Sequence, residues 1–110
     1  MKPLINYDDF AKLDLRVGEV VSVEEVVESE KLMKLVVDFG SEIGQKVIFS
    51  GIKKWYTVAS LLNKKFIFCV NLAPKEFKFG QSYGMILGAG ETEASLCILD
   101  KNLENGTAIK

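Results

Sequence analysis

The sequence contains no histidine, so the commonest general base and the commonest metal ligand are both absent. Its two cysteines, Cys69 and Cys97, are too few for a zinc site and lie inside apolar runs, which predicts reduced core thiols. No glycine-rich phosphate loop opens a helix, and no serine or cysteine has an activating base nearby in sequence. We therefore expect a binding module rather than an enzyme, with no cofactor and no metal.

Long hydrophobic runs are also lacking. No apolar stretch approaches the roughly 18 residues that a membrane helix needs, and residues 1–6 lack the apolar core of a signal peptide. We expect a cytoplasmic protein without a membrane partner. A length of 110 residues suits one domain.

Positive charge is unevenly distributed along the chain. The formal net charge is −1, but residues 31–80 carry nine lysines against three acidic side chains, whereas both flanking segments are acidic. Segregation of this kind produces a local positive field on a nearly neutral protein. It favours a nucleic-acid-binding surface, although lysines that alternate outward on strands for solubility would give the same composition.

The apolar periodicity changes early in the chain from helical to extended. Residues 7–13 resemble a short helix with Asn6 as its cap. From Leu15 to Val23 apolar and polar residues alternate, with a slip at residues 18–20 that predicts a bulge in one long, bent strand. Residues 32–39 and 46–49 predict two further strands of a meander.

The second half continues this pattern with one interruption. Thr57 is a helix-capping residue before a short apolar segment that ends at Asn63, and residues 65–70 form a continuously apolar run typical of a buried strand. Residues 84–88 and 95–99 predict a last pair of strands, and Asn105 with Gly106 predicts a tight turn. This order predicts an all-β fold: a five-stranded Greek-key barrel of the oligonucleotide/oligosaccharide-binding (OB) type, with a short N-terminal helix, a short helix between strands 3 and 4, and extra C-terminal strands. Another small barrel or a short β-sandwich is the alternative.

Seven motifs in register then point to a family. Together they resemble the tRNA-binding domain found at the C-terminus of many methionyl-tRNA synthetases, which also occurs as free structure-specific tRNA-binding proteins. The motifs are Phe10-Ala11-Lys12-Leu13-Asp14-Leu15-Arg16-Val17-Gly18, Glu30-Lys31-Leu32, Val37-Asp38-Phe39-Gly40, Ser50-Gly51-Ile52, Trp55-Tyr56-Thr57, Asn71-Leu72-Ala73-Pro74 and Ser82-Tyr83-Gly84-Met85.

The resemblance implies non-catalytic binding of the tRNA elbow by shape, through lysines on phosphates and short polar groups on ribose or phosphate. It also implies an OB-fold domain over residues 7–110 with an N-terminal extension at 1–6. Several of the implied contacts have structural alternatives: Arg16 could instead pair with Asp14 or Asp38, and Ser50 or Asn71 could serve as turn residues. The candidate RNA-binding residues are Arg16, Lys31, Ser50, Lys53, Lys54, Asn71, Lys75, Lys78, Ser82 and Met85.

The family resemblance further implies a homodimer and a methionyl-type aminoacyl-tRNA synthetase as a possible partner. Candidate residues for the dimer interface are Leu4, Ile5, Leu96 and Ile98. Residues 38–44 are similar to a sister group, an export-associated chaperone with the same barrel that binds unfolded polypeptides. Such a chaperone would use exposed apolar surface rather than charge, and it remains the alternative function.

Overall fold

A computed structural model describes all residues from 1 to 110 and shows an almost entirely β structure. Its helices are one turn long: α1 (Tyr7–Phe10), α2 (Gly40–Ile43) and α3 (Val58–Leu61). Its strands are β1 (Leu15–Glu25), β2 (Met33–Asp38), β3 (Gln45–Ser50), β4 (Lys65–Cys69), β5 (Lys75–Phe77), β6 (Gly80–Ser82), β7 (Met85–Ile86), β8 (Gly88–Ala89), β9 (Ser95–Leu96) and β10 (Ala108–Ile109).

The long strand β1 organises the sheet. Its first half pairs antiparallel with β4 and β10, and its second half pairs antiparallel with β2. The main sheet therefore runs β3-β2-β1-β4-β7. The ladder between β1 and β2 slips between Val20 and Ser22, which confirms one long strand with an irregularity, although the slip comes later than residues 18–20.

Gly18 is required by packing and does not mark the slip. A Cβ at this position would lie 2.5 Å from Cγ1 of Val37 and 2.6 Å from Cε1 of Phe39. Phe39 in turn meets Phe68 edge to face, with ring centroids 5.2 Å apart. Since interiors are close-packed, β1 crosses the core closely here because Gly18 has no side chain.

The edge strand β3 closes onto the segment between β6 and β7. The backbone amide of Tyr83 donates to the carbonyl of Val47 at 2.9 Å, and the amide of Phe49 donates to the hydroxyl of Ser82 at 3.0 Å. These contacts nearly complete a five-strand barrel, which confirms the predicted fold class. The barrel interior is filled by residues that include Val20, Met33, Leu35, Val37, Phe39, Ile48, Leu61, Phe66 and Phe68.

The connection between β3 and β4 forms as the sequence predicts. Thr57 caps α3 by accepting a hydrogen bond from the amide of Ser60 at 3.2 Å, and the Ser60 hydroxyl binds the Thr57 backbone in return. The helix ends before Asn63, which takes a left-handed conformation with φ of 64°. Leu61 is completely buried, so this turn of helix packs against the barrel core.

Three features differ from the sequence-based expectation. Residues 40–43 form the short helix α2 between the two meander strands, and residues 75–82 form a hairpin, β5–β6; neither element was predicted. The closing strands are shorter than predicted, since β8 and β9 pair over two residues each. None of the three helices has the length and apolar character needed to cross a lipid bilayer.

Candidate nucleic-acid interface

The β1–β2 loop and the β3–α3 loop are joined directly. The backbone amide of Lys53 donates to the carbonyl of Lys31 at 3.0 Å, and Ser50 pairs with Met33 across the β2–β3 ladder. Residues 26–32 and 51–57 therefore meet beside the end of β3. Lys31 and Lys54 are both exposed there.

The side chain of Lys53 has a different role from that of its neighbour. Its ammonium nitrogen donates to the carbonyl of Val26 at 3.0 Å and to the carbonyl of Ser29 at 2.9 Å. The Ser29 hydroxyl in turn accepts from the amides of Lys31 and Leu32. Two of the three ammonium donors are thus committed. Lys53 holds the β1–β2 loop in place, whereas Lys54 has its charge free for a partner.

The β5–β6 hairpin packs against the same end of β3. The rings of Phe49 and Phe77 lie 5.6 Å apart, and Gly80 lies so close to Phe49 that an added Cβ would be 3.2 Å from its ring. Each lysine of the hairpin lies near an aromatic ring: Lys75 is 5.0 Å from the centroid of Phe77, and Lys78 is 5.7 Å from that of Phe79. The sequence signal for this hairpin was the Phe77-x-Phe79 alternation before Gly80.

We call the surface formed by residues 26–32, 51–57 and 75–82 the three-loop face. It carries five lysines (Lys31, Lys53, Lys54, Lys75, Lys78) and three glutamates (Glu28, Glu30, Glu76). The lysines of residues 31–80 do not all gather here, since Lys65 donates to the carbonyl of Leu103 at 2.7 Å beside the C-terminal segment. The face is therefore positive, but only moderately.

Ser82 is a structural residue, and its burial argues against the predicted RNA contact. It is 3% exposed, and its hydroxyl accepts from the amide of Phe49 and donates to the carbonyl of Gly84 at 3.0 Å. A Cβ on Gly84 would lie 2.8 Å from the carbonyl oxygen of Cys69, so the Ser-x-Gly pattern serves the closure of the barrel.

Arg16 also serves the fold, and its RNA contact stays a prediction. Its Nε lies 2.6 Å from Oδ1 of Asp14, and Nη1 donates to the carbonyl of Gly106 at 3.0 Å. The hydrogen bond with Asp14 stabilises the charged guanidinium and raises the pKa of Arg16 above its ordinary value. Of the two carboxylate partners considered, the structure shows Asp14.

Asn71 is exposed, and its amide holds two segments of the backbone together while one N–H of Nδ2 stays free, so its RNA contact stays a prediction. Oδ1 accepts from the amide of Asp14 at 2.9 Å, and Nδ2 donates to the carbonyl of Lys12 at 2.6 Å. The side chain therefore fastens the segment after α1 to the segment after β4.

The remaining candidates are placed as follows. Met85 is 51% exposed on β7, opposite Cys69 of β4, and Ser50 is half-buried at the end of β3. Trp55 is partly exposed within the three-loop face. Tyr56 instead packs against the core, where its hydroxyl accepts from the amide of Leu96 at 2.9 Å.

The candidates for a dimer interface divide into two groups. Leu4, Ile5 and Ile98 are exposed at 88%, 68% and 67%, whereas Leu96 is 7% exposed and belongs to the barrel core. Leu96 therefore has little surface to offer a second copy, and Leu4, Ile5 and Ile98 are the stronger candidates. No residue of α1 is buried, so the N-terminal segment leaves its apolar side chains uncovered.

An open cleft of about 660 Å³ lies outside the three-loop face. It is lined by residues 98–103 and by the start of β4, and it includes no candidate RNA-binding residue. No group of three side chains capable of holding a metal ion is present.

A small, nearly closed barrel with lysine-bearing loops beside the end of β3 is typical of an oligonucleotide-binding type of protein. A family model described as "Putative tRNA binding domain" matches residues 15–108. The chain belongs to this family and is a tRNA-binding domain, which confirms the resemblance.

Three relatives illustrate the match. A methionine–tRNA ligase from Methanocorpusculum labreanum is 47% identical over 106 residues, which cover 96% of this chain and 15% of the relative. The crystal structure of a MetRS related protein from Pyrococcus horikoshii has a TM-score of 0.90 and 33% identity, covering 99% of this chain and all of the other. The crystal structure of the CsaA chaperone protein from Picrophilus torridus has a TM-score of 0.89 and 36% identity, and the match covers 97% of this chain and 100% of the other.

The chain spans about one sixth of the length of the methionine–tRNA ligases that it matches. The similarity to those enzymes thus concerns a tRNA-binding part. The matched family is not a catalytic one.

Proposed function

We propose that the domain binds the elbow of a folded tRNA through the three-loop face and performs no chemistry on it. The observation that carries this proposal is the packing of three lysine-bearing loops beside the end of β3. Flexible ammonium groups suit phosphate contacts, which attract any sequence, and RNA duplex is read mainly by shape. Recognition therefore depends on the path of the RNA backbone.

The charge of the face sets the expected strength of binding. Glu28 and Glu30 are exposed on the same loop as Lys31, and Glu76 lies between the two lysines of the hairpin. These carboxylates repel phosphate and offset part of the attraction. Affinity should consequently be modest at physiological salt and fall steeply as salt rises.

An electrophoretic mobility shift with total tRNA at 50 and 200 mM salt tests this function. Binding should be readily detected at the lower concentration and strongly reduced at the higher. A linear single-stranded RNA of the same length is the matched competitor for shape. Equal competition by that RNA would contradict elbow recognition, and absence of a shift at low salt would contradict the proposal as a whole.

We further propose that two copies associate through the uncovered N-terminal segment and Ile98. Leu4 and Ile5 expose apolar surface that a second copy would remove from water. Size-exclusion chromatography with light scattering should give a dimer at micromolar concentration. Leu4→Ser with Ile5→Ser should give a folded monomer, and a wild-type monomer would refute the dimer.

A methionyl-type synthetase in the cytoplasm is the proposed partner. A domain that holds tRNA raises its local concentration at the enzyme to which it is attached or bound. Adding the domain to such a synthetase should lower the KM for tRNA and leave kcat unchanged. No change in KM at saturating domain would remove this part of the proposal.

A chaperone role is the second candidate, favoured by exposed apolar side chains. Val27, Leu72 and Met85 are 87%, 42% and 51% exposed, and CsaA chaperone structures share the fold. Apolar contacts depend little on salt. Binding of a reduced, unfolded protein that persists at 200 mM salt, with no tRNA shift, would favour this role.

A further inference from the structure

The turn at residues 104–107, which we call the C-terminal latch, fastens the end of the chain to β1. The amide of Gly106 donates to the carbonyl of Val17 at 2.8 Å, and the amide of Val17 donates to the carbonyl of Thr107 at 2.9 Å. Arg16 adds a hydrogen bond from its guanidinium to the carbonyl of Gly106. The strand β10 continues directly from this turn.

Glycine is required at position 106. Its φ is +89°, and an added Cβ would lie 2.3 Å from the carbonyl oxygen of Phe39. Gly40 makes the reciprocal approach, since its Cβ would lie 2.7 Å from the carbonyl oxygen of Asn105. The latch therefore packs backbone against backbone at the corner between β2 and α2.

The Asn105 side chain bridges two carboxylates. Its Nδ2 donates to Oε1 of Glu19 at 3.0 Å and lies 3.5 Å from Oδ2 of Asp38. Its Oδ1 is buried and has no hydrogen-bond partner. Turning the amide over would place that oxygen against the carboxylates, so the orphaned oxygen is the consequence of keeping the NH₂ group between them.

An asparagine followed by glycine is chemically labile, because the glycine nitrogen is unhindered. That nitrogen loses its proton and attacks Cγ of asparagine, ammonia leaves, and water opens the succinimide to aspartate or isoaspartate. In the latch the attacking nitrogen donates its hydrogen to Val17 and Nδ2 is held by Glu19, so both reacting groups are restrained.

We infer that Asn105 is a deamidation site guarded by the fold, and that its conversion unfastens the C-terminal latch irreversibly. Reaction requires the latch to open. The product replaces a donor by a third carboxylate beside Glu19 and Asp38, where like charges repel. A latch that has reacted therefore does not close again. This inference is independent of tRNA binding.

Mass spectrometry of the peptide containing Asn105 tests the guarding. Native protein and protein unfolded in urea are held at mildly alkaline pH. Deamidation is followed as a gain of about 1 Da in the mass of the peptide, since it is a covalent modification. The rate should be at least about tenfold lower in the native protein, because reaction proceeds through local opening. Asn102, which precedes Leu103 in the same segment, is the internal control. Equal rates at Asn105 in both states would overturn the inference.

The variant Asn105→Asp tests the unfastening, with Asn102→Asp as the matched control because it adds the same charge on exposed chain. The first should lower the Tm by roughly 10 °C and speed hydrogen exchange at Val17, while the second changes neither. If Asn105→Asp fails to fold, the partly deamidated wild-type protein gives the same exchange measurement. An unchanged Val17 amide in either sample would refute the latch.

Discussion

Neighbouring lysines in the three-loop face should respond to substitution in opposite ways. Lys54 is exposed, whereas Lys53 donates to the carbonyls of Val26 and Ser29. We predict that Lys54→Ala weakens tRNA binding without affecting stability. Lys53→Ala should instead destabilise the protein and loosen the β1–β2 loop.

The magnitudes follow from counting ammonium groups. Four lysines of the face, excluding Lys53, are available for phosphates, which gives a slope of log Kobs against log salt of about −2.8 to −3.6 per face. Raising salt from about 50 to 200 mM should then weaken binding by about 50- to 150-fold. Removing Lys54 should make the slope less steep by about 0.7 to 0.9 and lower affinity about five- to eightfold near 0.1 M salt.

Lys53→Ala should leave the slope nearly unchanged. Loss of two hydrogen bonds from a partly exposed ammonium should cost about 1 kcal/mol, or a Tm decrease of about 4–8 °C. The assays are fluorescence anisotropy with labelled tRNA at four salt concentrations and thermal denaturation of each variant. Lys101→Ala is the control, because Lys101 lies beside the cleft away from the face.

One pattern of results would refute this reasoning. If Lys53→Ala and Lys54→Ala reduced the slope equally and neither changed the Tm, Lys53 would be a phosphate contact and its bonds to the loop would be unimportant. If the slope stayed the same in both, the RNA would bind on another surface.

Two further predictions concern the barrel. Ser82→Ala should cost about 1–3 kcal/mol of unfolding free energy, because the buried amide of Phe49 loses its partner. Urea denaturation measures this cost. An unchanged denaturation midpoint together with lost tRNA binding would instead indicate that Ser82 contacts RNA. Gly18→Ala should cost about 1–3 kcal/mol by overpacking against Val37, whereas Gly51→Ala, with nothing within 4 Å of its Cβ, should change stability little. Equal denaturation midpoints for the two glycine variants would show that β1 can move to accommodate a methyl group at position 18 without loss of stability.

The sequence predicted those elements whose signal is local. Thr57 predicted the helical turn before β4, and the apolar run of residues 65–70 predicted a buried strand. Both predictions succeed because capping and burial depend on residues that are neighbours in sequence. The bent first strand was likewise visible as a change in periodicity. The resemblance of the seven motifs to a known family predicted how these elements connect into a barrel.

What the sequence did not reveal depends on distant partners. Ser82 looked like a free polar group until the structure placed it against Phe49, 33 positions away. Leu96 looked like an interface residue until the barrel closed over it. Lys53 and Lys54 are identical in type and adjacent, and the carbonyls that distinguish them come from the β1–β2 loop.

The pairing of β1 with the C-terminal strand β10 has a kinetic consequence. The contact between Arg16 and Gly106 joins positions 90 residues apart. The entropy cost of closing so long a loop opposes this contact until most of the intervening chain is ordered. High contact order slows folding. During synthesis β1 emerges from the ribosome long before β10. Until β10 follows, the edge of β1 that pairs with it has unpaired backbone groups.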